Sequence, residues 1–284
     1  LEPSPPTTVS FTKRVDAVPL DVAGLQLWWR ADAGVPSGAG DLWEDLSGQG
    51  NHGHQTDGRR VAGLVGDAVS DLPAMRFDGG DDVVEFTTPL STIRTVFWVV
   101  RSAEESGVHS KRRSLLGHET SRDLYGGYGA PGPIWDGNAA LSVREGQTWV
   151  NGVPVDGRTK PRPTEMSVIS LVTTGDVRAS LFGDTQWSES WLGDLAELVI
   201  YDRELSALER RRIEDHLLAR YTLSESLRRP EISPPGGVFA DTQDVTMTTP
   251  SPGATIHYTL DGSEPTPDSP EYAETLSIES TVTL

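Results

Sequence analysis

The sequence predicts an all-β protein: a large sandwich with one helix near its C-terminal end, then a smaller β-sandwich. Three observations predict it. Between Leu25 and Ile200, short apolar runs are separated by clusters of Gly, Pro, Asn and Asp, as strands and turns are in a β-sandwich. In 191–221, WLGDLAELVIYDRELSALERRRIEDHLLARY, a strand apolar on both faces runs into a helix with its own capping signal. Past a proline-bearing break at 224–235, Ile256, Tyr258 and Leu260 alternate with Thr255, His257 and Thr259, which reads as one buried and one wet face.

Residues 1–19 are rich in Pro, Thr and Ser, show no periodicity and read as a linker or N-terminal arm. The large domain spans 20–223. Within it TVFWVVR (95–101) and VISLVTT (168–174) are apolar on both faces and belong at the centre of a sheet. In TWVNGVPV (148–155), Asn151 and Gly152 supply the positive φ values of a type I′ hairpin. Along the closing strand Ala196, Leu198 and Ile200 share one face, and Leu195, Glu197, Val199 and Tyr201 the other. Ser206 stands three residues before Glu209, so each side chain can meet the other's backbone N–H. Leu208, Ile213, Leu217 and Tyr221 then follow at helical spacing and predict a stripe laid on a sheet, ending near Leu223. Residues 224–235 read as a linker and 236–284 as the small domain, with a turn at Asp261 and Gly262. The sequence stops at Leu284 inside what reads as a strand, as a fragment of a longer protein would.

The formal charge is −18 and is unevenly spread: 1–229 hold 33 acids and all 24 Lys and Arg, whereas 230–284 hold nine acids and no Lys or Arg. Such a surface repels nucleic-acid phosphates and anionic lipid, which argues against both as partners. It also disfavours sulfated or uronic-acid polymers unless an arginine pocket or a bound cation offsets the field. There is no apolar run long enough for a membrane span. The absence of cysteine excludes disulfides, thiol chemistry and thiolate zinc sites. The sequence opens on LEPSPPTT, so a secretion signal would have been removed or would lie outside it.

LQLWWRADAGV (25–35), LWEDLSGQGNHGHQ (42–55), MRFDGGDDVVEF (75–86) and the 191–221 segment together resemble the laminin-G-like branch of the concanavalin-A-like lectin/glucanase superfamily. The resemblance implies a two-sheet jelly roll, usually extracellular or on the cell surface, that more often binds than catalyses. Residues 236–284 resemble the chitobiase/β-hexosaminidase C-terminal-type domain, a small immunoglobulin-like sandwich, here apparently incomplete. The enzymes of the superfamily carry Glu-x-Asp-x-x-Glu, which is absent here. The one i, i+2 carboxylate pair is Asp202 and Glu204, and it reads as a solvated turn before the helix. Catalysis would need carboxylates that converge from distant positions.

Sugar recognition needs flat aromatic faces with polar groups beside them. RDLYGGYGAPGPIWDGN (122–138) offers Tyr125, Tyr128 and Trp135 with Arg122, Asp123, Asp136 and Asn138; Trp187 and Trp191 form a second pair. The plainer reading makes these aromatics loop-packing anchors. Trp28, Trp43, Trp98 and Trp149 sit in apolar strands and read as core, while Trp29 is undecided. Calcium is the cation to weigh, through Asp45, Asp78, Asp81, Asp82 and Asp194, against the plain reading of Asp-stabilised turns. Glu197, on an apolar face, needs a partner such as Arg30 or Arg76, or else serves as a cation ligand. The expected function is a non-catalytic module that holds a larger protein, to which it is covalently linked, near a polysaccharide. A structural or adhesive spacer that binds protein is the alternative.

Overall fold

The computed structural model describes residues 9–11, 19–33, 42–55, 57–103, 111–183, 190–221, 230–234, 237–239, 241–248, 255–263, 265–266, 269–280 and 282. Contacts divide the chain into two units, Ala17–Leu223 and a second formed by Leu1–Asp16 with Ser224–Leu284.

The first strand, β1 (Val9–Phe11), belongs to the second unit. In the large unit β2 (Leu25–Arg30), β3 (Leu42–Trp43), β4 (Gly53–His54), β5 (Gly63–Val69) and β6 (Leu72–Asp78) lead to β7 (Val84–Ser102). A two-stranded ribbon follows, β8 (Lys111–Arg112) with β9 (Tyr128–Gly129), and then the short helix α1 (Leu141–Arg144). Next come the hairpin of β10 (Gln147–Val150) and β11 (Val153–Val155), then β12 (Ser167–Phe182), β13 (Leu192–Tyr201) and helix α2 (Ala207–Arg220). Ten of these strands form one antiparallel sheet, ordered β11-β10-β12-β7-β13-β6-β5, with β2 added on β13 and the β3–β4 pair on β7. This is the all-β sandwich with a C-terminal helix that the sequence predicts.

β7 and β12 are 19 and 16 residues long. Their pairing shifts register between Val172 and Val177, Val177 and Ala179, and Ala179 and Leu181. Extra residues bend a strand pair, and all three shifts fall past Val172, toward the C-terminal end of β12. Pro89, with no N–H to donate, falls between the paired positions Glu85 and Leu90. At the β10–β11 turn Asn151 and Gly152 hold φ of 51° and 76°, as the hairpin reading requires.

The inner core is aromatic. Trp29 stacks on Trp43 with centroids 5.2 Å apart, Phe86 meets Trp29 edge-on at 5.1 Å, and Trp98 tilts against Trp135 at 5.9 Å. The second core lies between the sheet and α2, where Ile213, Leu217, Leu218 and Tyr221 join Phe97, Val99, Val168, Val199 and Tyr201. β13 feeds both cores, with one change from its sequence reading. A register shift between Leu195 and Glu197 places Leu195 with Leu198 and Ile200 in the inner core, and Ala196 with Val199 and Tyr201 under the helix. One extra residue reverses the facing of everything before it.

The capping box of α2 is present: Ser206 Oγ accepts the Glu209 N–H at 3.3 Å and Glu209 Oε2 accepts the Ser206 N–H at 2.9 Å. The helix buries Ile213, Leu217 and Leu218 but leaves Leu208 only half-buried, and it ends at Arg220. In place of Leu208 it buries a pair of opposite charges. Arg210 and Glu214 bond each other, Ser170 Oγ donates to Glu214, and the Arg210 guanidinium lies 3.8 Å over the Trp149 ring.

In the second unit β14 (Glu231–Ser233), in the stretch read as a linker, pairs with β16 (Gln243–Thr248), and β16 with β17 (Leu276–Ile278). β15 (Gly237–Phe239) pairs with β1, in the stretch read as an arm. Val245 and Ile278 form the core of this unit with Ile232, Leu276 and Val282. The alternation expected over 255–260 does not produce a buried face, since Ile256 and Tyr258 are half-buried and Leu260 is 42% exposed. Among the described residues this segment is bridged through His257 to Glu271. Gly262, at φ 78°, makes the expected turn.

Candidate functional site

The loop of residues 122–138 folds as a compact unit. Arg162, itself 1% exposed, donates to the carbonyls of Gly127 (2.6 Å), Pro133 (3.1 Å) and Gly129 (2.9 Å). Gly126 must be glycine, because a Cβ there would lie 1.8 Å from the Arg113 carbonyl oxygen. This fixed frame sorts the three aromatics. Trp135 is 1% exposed, donates its indole N–H to Thr148 Oγ1 at 2.9 Å and packs on Trp98, so it offers no face to a ligand. Tyr125 is 4% exposed, with Arg112 and Arg122 at 5.4 and 5.2 Å from its ring. Both are anchors, as the plainer reading has it. Tyr128 is 59% exposed and touches the Arg112 guanidinium at 5.6 Å.

Polar groups extend from Tyr128. Arg112 Nε donates to Asp136 Oδ2 at 3.2 Å, and Asp136 Oδ1 accepts both the backbone N–H and the side-chain amide of Asn138 at 2.8 Å. Burial works against the Asp136 charge, but the bonds from Asn138 and Arg112 outweigh it and hold the carboxyl below the usual range. Asn138 is exposed, Arg122 is exposed and Asp123 is partly so. A ring with an open face, a guanidinium and an amide therefore share one surface, with the buried Asp136 carboxylate holding the guanidinium and the amide in place. Trp191 leaves the candidates, being fully buried against Phe182. Trp187 lies outside the described residues. Trp28, Trp29, Trp43, Trp98 and Trp149 are all buried.

Of the acidic candidates, three have their oxygens filled by protein. Asp45 accepts the N–H groups of Trp28 (2.9 Å), Ser47 (3.0 Å) and Asn51 (2.9 Å), plus Ser47 Oγ at 2.7 Å, and so shapes its own loop. Asp194, 1% exposed, is bound by Arg76 at 2.8 and 3.0 Å and by Arg101 at 2.6 Å; these pairs outweigh burial and hold it low. Glu197, fully buried, accepts Trp28 Nε1–H at 2.6 Å and Tyr221 O–H at 2.9 Å, with Arg220 Nε at 3.6 Å. Of the arginines expected, Arg76 bonds Asp194 and Arg30 bonds Asp32, so the guanidinium beside Glu197 is that of Arg220, and burial pushes the Glu197 pKa up.

The remaining three converge. Asp78, Asp81 and Asp82 each bring a carboxylate oxygen within 4.8 Å of the others, the first two exposed and the third buried. Asp82 Oδ2 accepts the Asp78 N–H at 2.8 Å and Asp78 Oδ1 the Gly80 N–H at 2.7 Å, the ordinary bonding of an Asp turn. Burial, together with its acidic neighbours, pushes Asp82 up. The donor set suits calcium, which takes oxygens only. Two guanidiniums oppose it, for Arg60 donates to the Asp81 carbonyl at 3.0 Å and Arg113 to the Gly79 carbonyl at 2.7 Å.

Fold and surface together define a two-unit all-β protein with an exposed aromatic–polar patch on its larger unit. Residues 234–284 match the model of the chitobiase/beta-hexosaminidase C-terminal domain family. No curated protein matches the chain. Among solved structures, the Trypanosoma rangeli sialidase in complex with the inhibitor DANA aligns at 15% identity and a TM-score of 0.43, over 71% of this chain and 35% of that one. The chain therefore spans about a third of that protein's length.

Proposed function

We propose that this chain is a non-catalytic carbohydrate-binding module of a larger secreted or cell-surface protein. The observation that carries the reading is Tyr128, an open ring joined through Arg112 to the Asp136–Asn138 pair. A sugar's C–H face lies on such a ring while its hydroxyls meet the exposed Asn138 amide and the Arg112 guanidinium, which Asp136 holds in place. The match of 234–284 to a carbohydrate-related domain family supports a glycan as the partner. The likeness of 25–35, 42–55, 75–86 and 191–221 to laminin-G-like domains supports an extracellular binding role rather than catalysis. Calcium at Asp78, Asp81 and Asp82 belongs to the same proposal, as a rim cation that steadies a loop.

Pull-down and calorimetry against soluble and insoluble polysaccharides, with calcium and again with chelator, test it. Saturable binding that Tyr128→Ala weakens about tenfold supports the module. No binding across the panel favours an adhesive or spacer role. Reducing-sugar release from the same polymers would replace both readings with a hydrolase.

A further inference from the structure

Sharing Arg122 and Asp123 with the Tyr128 patch, a shallow surface depression of the large unit is lined by His118, Ser121, Arg122, Asp123, Tyr125 and Arg178. Ser121 Oγ is buried there without a hydrogen-bond partner. Buried hydroxyls are costly to leave unmet, so an open one marks a place that a ligand or water completes. His118 Nδ1 accepts the Thr120 N–H at 3.1 Å, which puts the proton of the neutral ring on Nε2 as a donor. Arg122 and Arg178 add guanidinium groups. Asp123 is the one carboxylate in the lining, and its Oδ2 already accepts from Arg178 N (2.9 Å) and Nε (3.4 Å). The lining is therefore rich in donors and net positive, in a chain of net charge −18.

Resting on the glycan-binding reading, we propose that this depression receives a single carboxylate of an acidic sugar carried on an otherwise neutral glycan. A carboxylate accepts but does not donate, which matches a lining where donors outnumber open acceptors. The shallow space suits a substituent rather than a whole ring. Beyond about 8 Å the field of the two arginines is screened, and the chain's net charge of −18 repels a polyanion. Arg112 links the two places, with its guanidinium 5.4 Å from the Tyr125 ring and 5.6 Å from the Tyr128 ring. Neighbouring sugars of one chain then reach both.

The test is calorimetry of the full chain with glucuronoxylan and its carboxyl-reduced form, and with a sialylated oligosaccharide and its unsialylated core. Polygalacturonate serves as the polyanion. At least one acidic form is expected to bind about tenfold tighter than its neutral counterpart, the worth of one charge-assisted contact, and tighter than polygalacturonate. Arg178→Gln, at a half-exposed side chain, and His118→Gln should each erase that preference and leave neutral binding and melting temperature unchanged. Equal affinity for acidic and neutral forms overturns this inference and leaves the module reading standing. So does an acidic preference that survives both substitutions. Failure to bind these glycans and the neutral panel overturns both.

Discussion

Two loops of the large unit, 122–138 and 78–82, are both rich in Gly and in ligand-like side chains, yet they are built in opposite ways. The first is stitched inward: Arg162 holds three of its carbonyls, and Trp135 and Tyr125 are buried. It leaves Tyr128 outside. The second turns on its own aspartates, with arginines reaching in to its backbone carbonyls, and leaves two carboxylates in solvent. The difference separates residues whose valences the protein has filled from residues it has left open. Only the latter are available for binding.

The sharpest way to break this contrast is Trp135→Ala. It should cost about 3–5 kcal/mol, as large-to-small changes at buried aromatics do, and show as a lower denaturant midpoint; a variant of native stability would mean that the ring is not an anchor. Arg162→Met should come next, at about 2–3 kcal/mol, because it removes the guanidinium from the Gly127, Gly129 and Pro133 carbonyls, of which the last keeps the Gly127 N–H. Tyr128→Ala should reverse the pattern: stability within about 0.5 kcal/mol of native, and roughly tenfold weaker glycan binding, about 1.4 kcal/mol. A stability loss as large as that of Trp135→Ala would erase the distinction between the two rings.

Calcium should give the smallest effect. At fivefold above its Kd it adds about 1 kcal/mol, read as a rise in melting temperature that chelator and Asp81→Asn both remove. Because burial raises the Asp82 pKa, this increment should fade on acidification sooner than an ordinary aspartate would dictate. In chelator the sign reverses. A carboxylate with a raised folded pKa adds stability that is fully present below the unfolded value and is lost as pH rises through the folded one. Melting curves from pH 4 to 7, with calcium and with chelator, should therefore converge toward the acid end. Parallel curves would place any calcium elsewhere.

Much of the fold is written in local pattern. The Ser206–Glu209 box, the Asn151–Gly152 turn and the doubly apolar runs at 95–101 and 168–174 act over a few residues, so spacing reveals them. The site is less legible. Nothing in RDLYGGYGAPGPIWDGN states which ring points inward, because a loop lacks the period that assigns faces. Arg162, between Pro161 and Pro163, reads as an exposed charge until the carbonyls around it are placed. Glu197 is visible as an anomaly on an apolar strand, but its donors, Trp28 and Tyr221, are neutral and distant in sequence. The bulge before Glu197 is invisible, since one inserted residue leaves the apolar count unchanged.

The path of β13 sets the order of assembly. It pairs with β7 along its length, with β2 over Leu25–Arg30 and with β6 over Met75–Asp78. A chain emerging from the ribosome exposes β2 and β6 more than a hundred residues before the partner of both has been made. Until Tyr201 emerges, those edges stay open to neighbouring chains. Truncation before Leu192 should thus yield aggregates rather than a smaller sandwich, and the release of β13 should time the appearance of protease-resistant nascent protein.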